Sequence, residues 1–329
     1  MKRIGVLAGA DITFAQNVIE AINSSKKRIK AELVNIDALK LNDKNAYSVL
    51  FDRISFKVPY YRNYLKQAAL NETIVLNNPF ICQDDSSFIF SILASKLGIS
   101  TPKTVLLPSK QLPENTHPES FVNLNYPIDW DSVFEYIGFP AILKSINSFN
   151  FVNAYKVYNQ SEFFSAYDLT GRACMTLVEN IEYDNYIKAF IFGDNILILN
   201  YDPQKPLHLR YSKDIVDNCI DQKITEDIKS LSSKISKILG LSINSMEFGI
   251  KDGTIYLTSF YDPAPVLETE YFGVKTYTDL VVGTAEYLLE VASGTSNYEQ
   301  IIPFECHNNS RKPVVKRGRK PKATTVIKS

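Results

Sequence analysis

Long hydrophobic runs are missing from this sequence. Nothing in its 329 residues approaches the roughly 18 consecutive apolar residues of a membrane-spanning helix, so neither a span nor a membrane partner is expected. Cysteine is scarce: Cys82, Cys174, Cys219 and Cys306 stand far apart, with no Cys-x-x-Cys pair. That spacing argues against a zinc ribbon or a disulfide framework. It points instead to reduced, mostly buried thiols in a cytoplasmic protein. The three histidines, His117, His208 and His307, form no ligand pattern. The basic start, Met1-Lys2-Arg3, leads into an apolar run that is cut at Asp11. It is shorter than a signal-peptide core and reads as a first buried strand. That strand ends in Leu7-Ala8-Gly9-Ala10-Asp11 and lacks the Gly-x-Gly-x-x-Gly turn that would bring a pyrophosphate onto a helix end.

What is present is an ordinary globular balance, 45% hydrophobic and 22% charged residues. The length suggests two or three packed units. The first hundred residues alternate in period. Apolar strands are expected at 3–7, 31–36, 47–51 and 73–76, and helices at 14–22, 58–70 and 86–97, the last closed by Gly98. Such βαβα order predicts an open, mainly parallel sheet. Residues 108–129 are rich in Pro, Asn, Ser and Glu and read as a long loop. Two strands are expected around Gly193-Asp194 and an amphipathic helix over 224–239, ended by Gly240. A hairpin is expected around Asp252-Gly253, then a last helix over 276–292.

Charge is unevenly placed. From Arg311 to Ser329 there are eight basic residues and no acidic one. The remaining 310 residues hold 28 basic and 36 acidic side chains, a charge of about −8. An acidic body therefore carries a basic tail.

Four segments, in order, resemble the ATP-grasp superfamily of carboxylate–amine ligases. Lys96-Leu97-Gly98-Ile99-Ser100-Thr101-Pro102-Lys103-Thr104 is similar to the entry into the family's central domain. Gly138-Phe139-Pro140-Ala141-Ile142-Leu143-Lys144 is similar to the strand whose terminal lysine reaches ATP phosphates. Leu177-Val178-Glu179-Asn180-Ile181-Glu182-Tyr183-Asp184 is similar to the hinge that bonds adenine and ribose. Met246-Glu247-Phe248-Gly249-Ile250-Lys251-Asp252-Gly253, with Tyr256 to Pro265, is similar to the metal-binding hairpin. The resemblance implies an α/β protein: an N-terminal open parallel sheet, then two α+β subdomains of an ATP-grasp fold. The units expected are 1–107, a linker 108–133, a central subdomain 134–185, a C-terminal subdomain 186–300 and a disordered basic tail 301–329.

The resemblance also implies ATP and Mg²⁺ as cofactors. Lys144, Glu179, Asn180, Ile181, Glu182 and Lys188 would hold the nucleotide, Glu247 and Asp262 the metal, and Arg210 an acceptor carboxylate. Acyl-phosphate formation joins two anions, so cations and hard oxygen ligands are what such a site needs. Several positions depart from the family pattern. Residues 145–152 after Lys144 contain no glycine, and Asp84-Asp85-Ser86-Ser87 supplies no phosphate lysine. The acid expected twelve residues after Glu247 falls on Ser259. Lys188 stands where an arginine often follows the hinge, a point charge instead of a fork. Arg53 and Tyr60-Tyr61-Arg62 are candidates for an acceptor face.

Three readings follow. One is a degenerate nucleotide- or partner-binding protein. The second is an active ATP-dependent carboxylate–amine ligase. The third, compatible with either, is attachment to nucleic acid through the tail. Lys316-Arg317-Gly318-Arg319-Lys320-Pro321 resembles an AT-hook, whose Arg-Gly-Arg core lies in the narrow A·T minor groove. A plainer reading of the tail is a general polyanion binder for DNA, RNA or an acidic protein. The candidate site residues have plain readings too, as solvated strand or hairpin charges and, for Arg210, a structural ion pair.

Overall fold

The computed structural model describes residues 1–9, 12–41, 43–80, 87–146, 154–211 and 221–303. The tail motif at 316–321, residues 147–153, Asp84 to Ser86, and Cys82, Cys219, Cys306 and His307 lie outside the described residues. Among the described residues there are three four-stranded sheets.

The N-terminal sheet is built from β1 (Lys2–Leu7), β2 (Ile29–Leu33), β3 (Val49–Asp52) and β4 (Ile74–Leu76), in the order β2-β1-β3-β4. All its pairings are parallel, as the alternating pattern predicts. Parallel neighbours need crossovers, supplied by α1 (Ile12–Ser24) and α2 (Pro59–Leu70). Helix α1 buries Phe14, Ala15, Val18 and Ile22, one stripe at helical spacing.

The central sheet has the order β5-β8-β6-β7 and is antiparallel. Its strands are β5 (Thr104–Leu107), β6 (Ala141–Ser145), β7 (Ala154–Val157) and β8 (Met175–Glu179). Helices α4 (Trp130–Ile137) and α5 (Gln160–Asp168) cover it. Asp129 caps α4 by accepting from Ser132 N at 3.1 Å, and Asn159 caps α5 by accepting from Glu162 N at 3.0 Å. Trp130, Phe134, Phe163 and Phe164 pack between the helices, Trp130 stacked on Phe134 and the other pairs edge-on or tilted, with ring centroids 5.1–6.1 Å apart.

The C-terminal sheet has the order β10-β9-β11-β12, again antiparallel. Its strands are β9 (Asn185–Phe192), β10 (Asn195–Asn200), β11 (Ile243–Lys251) and β12 (Thr254–Ser259). Side chains alternate between its faces. Ile187, Ala189, Ile191, Met246 and Phe248 join a core with α3 (Ser87–Lys96) and α6 (Gln222–Leu239). Phe190 and Phe192 join the opposite core, with α1, the N-terminal sheet and α7 (Thr269–Ser293). Lys188 shares this second face, because 188, 190 and 192 point the same way.

Three local features differ from the sequence expectations. Helix α3 and strand β5, within 1–107, leave the N-terminal sheet: Phe90 and Ala94 bury against the C-terminal sheet, and β5 pairs with β8. The last helix begins at Thr269, seven residues early, with a break at Gly273, whose φ of 73° only glycine adopts without cost. Ile301, read as the start of a disordered tail, has its carbonyl held by Asn78 Nδ2 at 2.6 Å. The segment before it closes an open sheet edge. Gln300 accepts from Val75 N at 2.6 Å and donates to Thr73 O at 3.1 Å, so an amide side chain substitutes for a fifth strand beside β4.

Candidate functional site

The hinge between β8 and β9 opens onto a cavity of about 280 Å³. Lys156, Asn180, Ile181, Glu182, Tyr183, Tyr186 and Gln204 line it. Three of these, Asn180, Ile181 and Glu182, were expected from the sequence. Lys156, Tyr186 and Gln204 were not, since each belongs to a separate segment and carries no motif. Glu179, also expected, faces elsewhere: its Oε2 accepts from Lys103 N at 3.1 Å and ties the start of β5 to β8.

Tyr183 positions the hinge. Its ring lies on Gly249 so closely that a Cβ there would stand 2.4 Å from the ring. Tyr186 and Tyr256 pack against the same ring at 5.3 and 5.7 Å. Burial pushes the Tyr183 hydroxyl well above the ordinary tyrosine pKa. That hydroxyl is buried without a hydrogen-bond partner among the described residues.

Next along the same face is a cluster of charges. In the sheet register Tyr186 opposes Gly249 and Lys188 opposes Glu247. Two residues along a strand span about 7 Å, so cavity and cluster adjoin. Lys188 Nζ donates to Glu247 Oε1 at 3.0 Å and to Asp262 Oδ2 at 3.4 Å. The side chains are 7%, 18% and 27% exposed for Lys188, Glu247 and Asp262. Burial alone would lower the pKa of the Lys188 ammonium. The charges of Glu247 and then Asp262 outweigh it and hold the group well above the ordinary lysine value. Burial pushes the nearby Tyr211 hydroxyl up to about 12. The Tyr201 ring lies 5.3 Å from Nζ.

Other expected residues gather around this cluster. Arg210 reaches it through Tyr201, donating to its hydroxyl at 3.3 Å and to Lys205 O at 2.9 Å. Lys144, half-buried at the end of β6, has its ammonium pKa lowered by burial and partly restored by Glu247. Asp262 is held by β11: its N–H donates to Asn244 Oδ1 at 2.9 Å, and Ser245 Oγ donates to its Oδ2 at 3.1 Å. Ser259 stands opposite Glu247 in the hairpin, a neutral hydroxyl where the second acid was sought. Arg53, a candidate for an acceptor face, is buried instead, donating to Pro265 O at 2.9 Å and packing over the Phe14 ring. Arg62 donates to Phe56 O at 2.9 Å.

The donor set does not fit Mg²⁺. That ion takes six oxygens at about 2.0–2.1 Å, commonly one or two carboxylates with phosphate and water for the rest, so two acids would suffice and the misfit lies in the cation already between them. Two carboxylates face each other here, and one ammonium already joins them. Among the described residues no group of three His, Cys, Asp or Glu side chains is placed to hold a metal.

No protein-family model and no curated protein matches the sequence. Solved structures do match. A RimK domain protein ATP-grasp from Sphaerobacter thermophilus is 14% identical, with a TM-score of 0.61 over 87% of this chain and 98% of that one. D-alanine–D-alanine ligase from Bacillus anthracis, complexed with ATP, is 15% identical, with a TM-score of 0.58 over 89% and 99%. The ligase PsnB, complexed with minimal precursor, Mg and ADP, is 12% identical, with a TM-score of 0.55 over 85% and 98%. The chain has the ATP-grasp fold. No helix among the described residues is long and apolar enough to cross a membrane.

Proposed function

We propose that this ATP-grasp protein binds an adenine nucleotide at the 180–186 hinge and does not turn it over efficiently. The hinge cavity carries the reading. Its volume of about 280 Å³ lies near the lower end of small-molecule sites and suits a nucleoside more than a whole triphosphate. Its lining is polar enough to orient a base, with the Asn180 and Gln204 amides, the Glu182 carboxylate and Lys156. The buried, unpartnered Tyr183 hydroxyl offers a further bond. Lys144 then supplies positive charge on the phosphate side. Phosphoryl transfer needs more cation than remains there, because Glu247 and Asp262 are engaged by Lys188 and Ser259 adds no charge.

Calorimetric titration with ATP, followed by an assay for ADP release, tests this. Binding with no carboxylate- and amine-dependent ADP release is expected. An absence of binding, or robust turnover, overturns it. The ligase neighbours and the placement of Arg210 beside the cluster favour a second reading, an ATP-dependent carboxylate–amine ligase. In that case Lys144→Ala abolishes ADP release, and an unchanged rate in that variant rejects the assignment.

A further inference from the structure

The charges at the hairpin are already balanced, and by a residue of the chain itself. An ammonium has three N–H donors. In Lys188 one goes to Glu247 at 3.0 Å and one to Asp262 at 3.4 Å. Aromatic rings close the remaining sides, Tyr201 at 5.3 Å and Phe190 at 5.9 Å. The acids are fixed from behind. Glu247 sits in the middle of β11 with its carbonyl bonded by Thr258 Oγ1 at 3.0 Å, and Asp262 is pinned by Asn244 and Ser245. Lys188 is likewise fixed in β9, directly across from Glu247. Both acids of the hairpin are thus bonded to one nitrogen of the chain itself.

We propose that the Lys188 ammonium is a built-in cation that takes the place of a divalent metal at Glu247 and Asp262, so that ligand binding in this cleft is independent of divalent cations. A second cation would have to enter beside a buried positive charge and share carboxylates that are already bonded. The lysine cannot dissociate, so the cluster keeps one charge state whatever the metal supply. The ATP arm of the test below rests on the nucleotide reading of the hinge; the metal arm does not.

The test uses the full chain and two probes. Mn²⁺ alone is titrated by electron paramagnetic resonance, up to about 1 mM, where weak carboxylate sites fill. ATP is titrated separately in EDTA and in excess Mg²⁺. Wild-type protein is expected to bind no Mn²⁺ and to hold ATP with the same Kd, within about twofold, in both buffers. Lys188→Gln, which removes the charge, is expected to gain a Mn²⁺ site and to have its Tm raised by Mn²⁺. Mn²⁺ binding by wild type that is lost in Glu247→Gln overturns the proposal, as does loss of ATP binding in EDTA. If ATP binds in neither buffer, the nucleotide reading falls while the Mn²⁺ titration still decides the cation. If Lys188→Gln does not fold, the wild-type measurements decide it alone.

Discussion

Replacing Glu247 by glutamine leaves Lys188 charged, buried and with weaker compensation. At 3.0 Å and an effective dielectric of about 20, the lost attraction is about 5 kcal/mol before solvation is counted. Removing one partner of a buried ion pair costs about 3–5 kcal/mol in practice. Here Asp262 remains at 3.4 Å, glutamine keeps an acceptor, and the Glu247 side chain is 18% exposed. A loss at or just below the lower end of that range, about 2–3 kcal/mol, is therefore expected. Lys188→Met with Glu247→Gln removes both charges of the closer pair. The double variant is expected to be less destabilised than the sum of the single ones, with a coupling of about 2 kcal/mol. Hydrogen exchange of β9 and β11 amides is the assay, because Trp130 reports only the central sheet, where its ring packs. A cost below about 0.5 kcal/mol for Glu247→Gln, or additivity in the cycle, refutes the reasoning, since exposed pairs behave that way.

The same lysine sets a pH signature. Its native pKa lies well above that of the unfolded chain, so its stabilisation is complete below about pH 10.4, the unfolded value. It then declines as pH rises toward the native pKa, by about 1.4 kcal/mol per pH unit; the Lys188→Met variant is expected to lack that slope in alkaline unfolding. At the hinge, Gly249→Ala pushes a methyl group to 2.4 Å from the Tyr183 ring, so a loss of about 1–3 kcal/mol and weaker nucleotide binding by calorimetry are expected. For the tail, deleting residues 311–329 removes eight positive charges and is expected to abolish retention on immobilised DNA at moderate salt. Retention that survives the deletion removes the tail as the tether.

Much of the architecture was legible in local pattern. Period-two and period-3.6 runs marked most elements. The αL cap at Gly240, with φ 62°, ended α6 where the glycine predicted. Parallel pairing in the N-terminal sheet followed because the crossovers are local, while its strand order appears only in the fold. Less legible was what each unit packs against. Helix α3 reads as the close of the first unit, yet Phe90 stacks edge-on against Phe260 at 4.7 Å. An apolar stripe states that it must be buried but not by which partner.

The candidate site divides the same way. The sequence by itself determined the kinds of residue and their order: a strand-end lysine, an acidic hinge, a hairpin with one acid where two were sought. It also located the serine at 259. Only the tertiary structure decided what those charges do to one another. Lys188 and Glu247 are 59 residues apart and meet because β9 and β11 are antiparallel neighbours in a particular register. A shift of one residue would turn Lys188 into the opposite core, where Ile187, Ala189 and Ile191 pack and no acid faces it among the cluster's residues. Read along the chain, Lys188 is a cation for a nucleotide; in the folded sheet it is bonded to the chain's own Glu247 and Asp262. Register and burial are properties of the whole sheet, so no local window of sequence contains them.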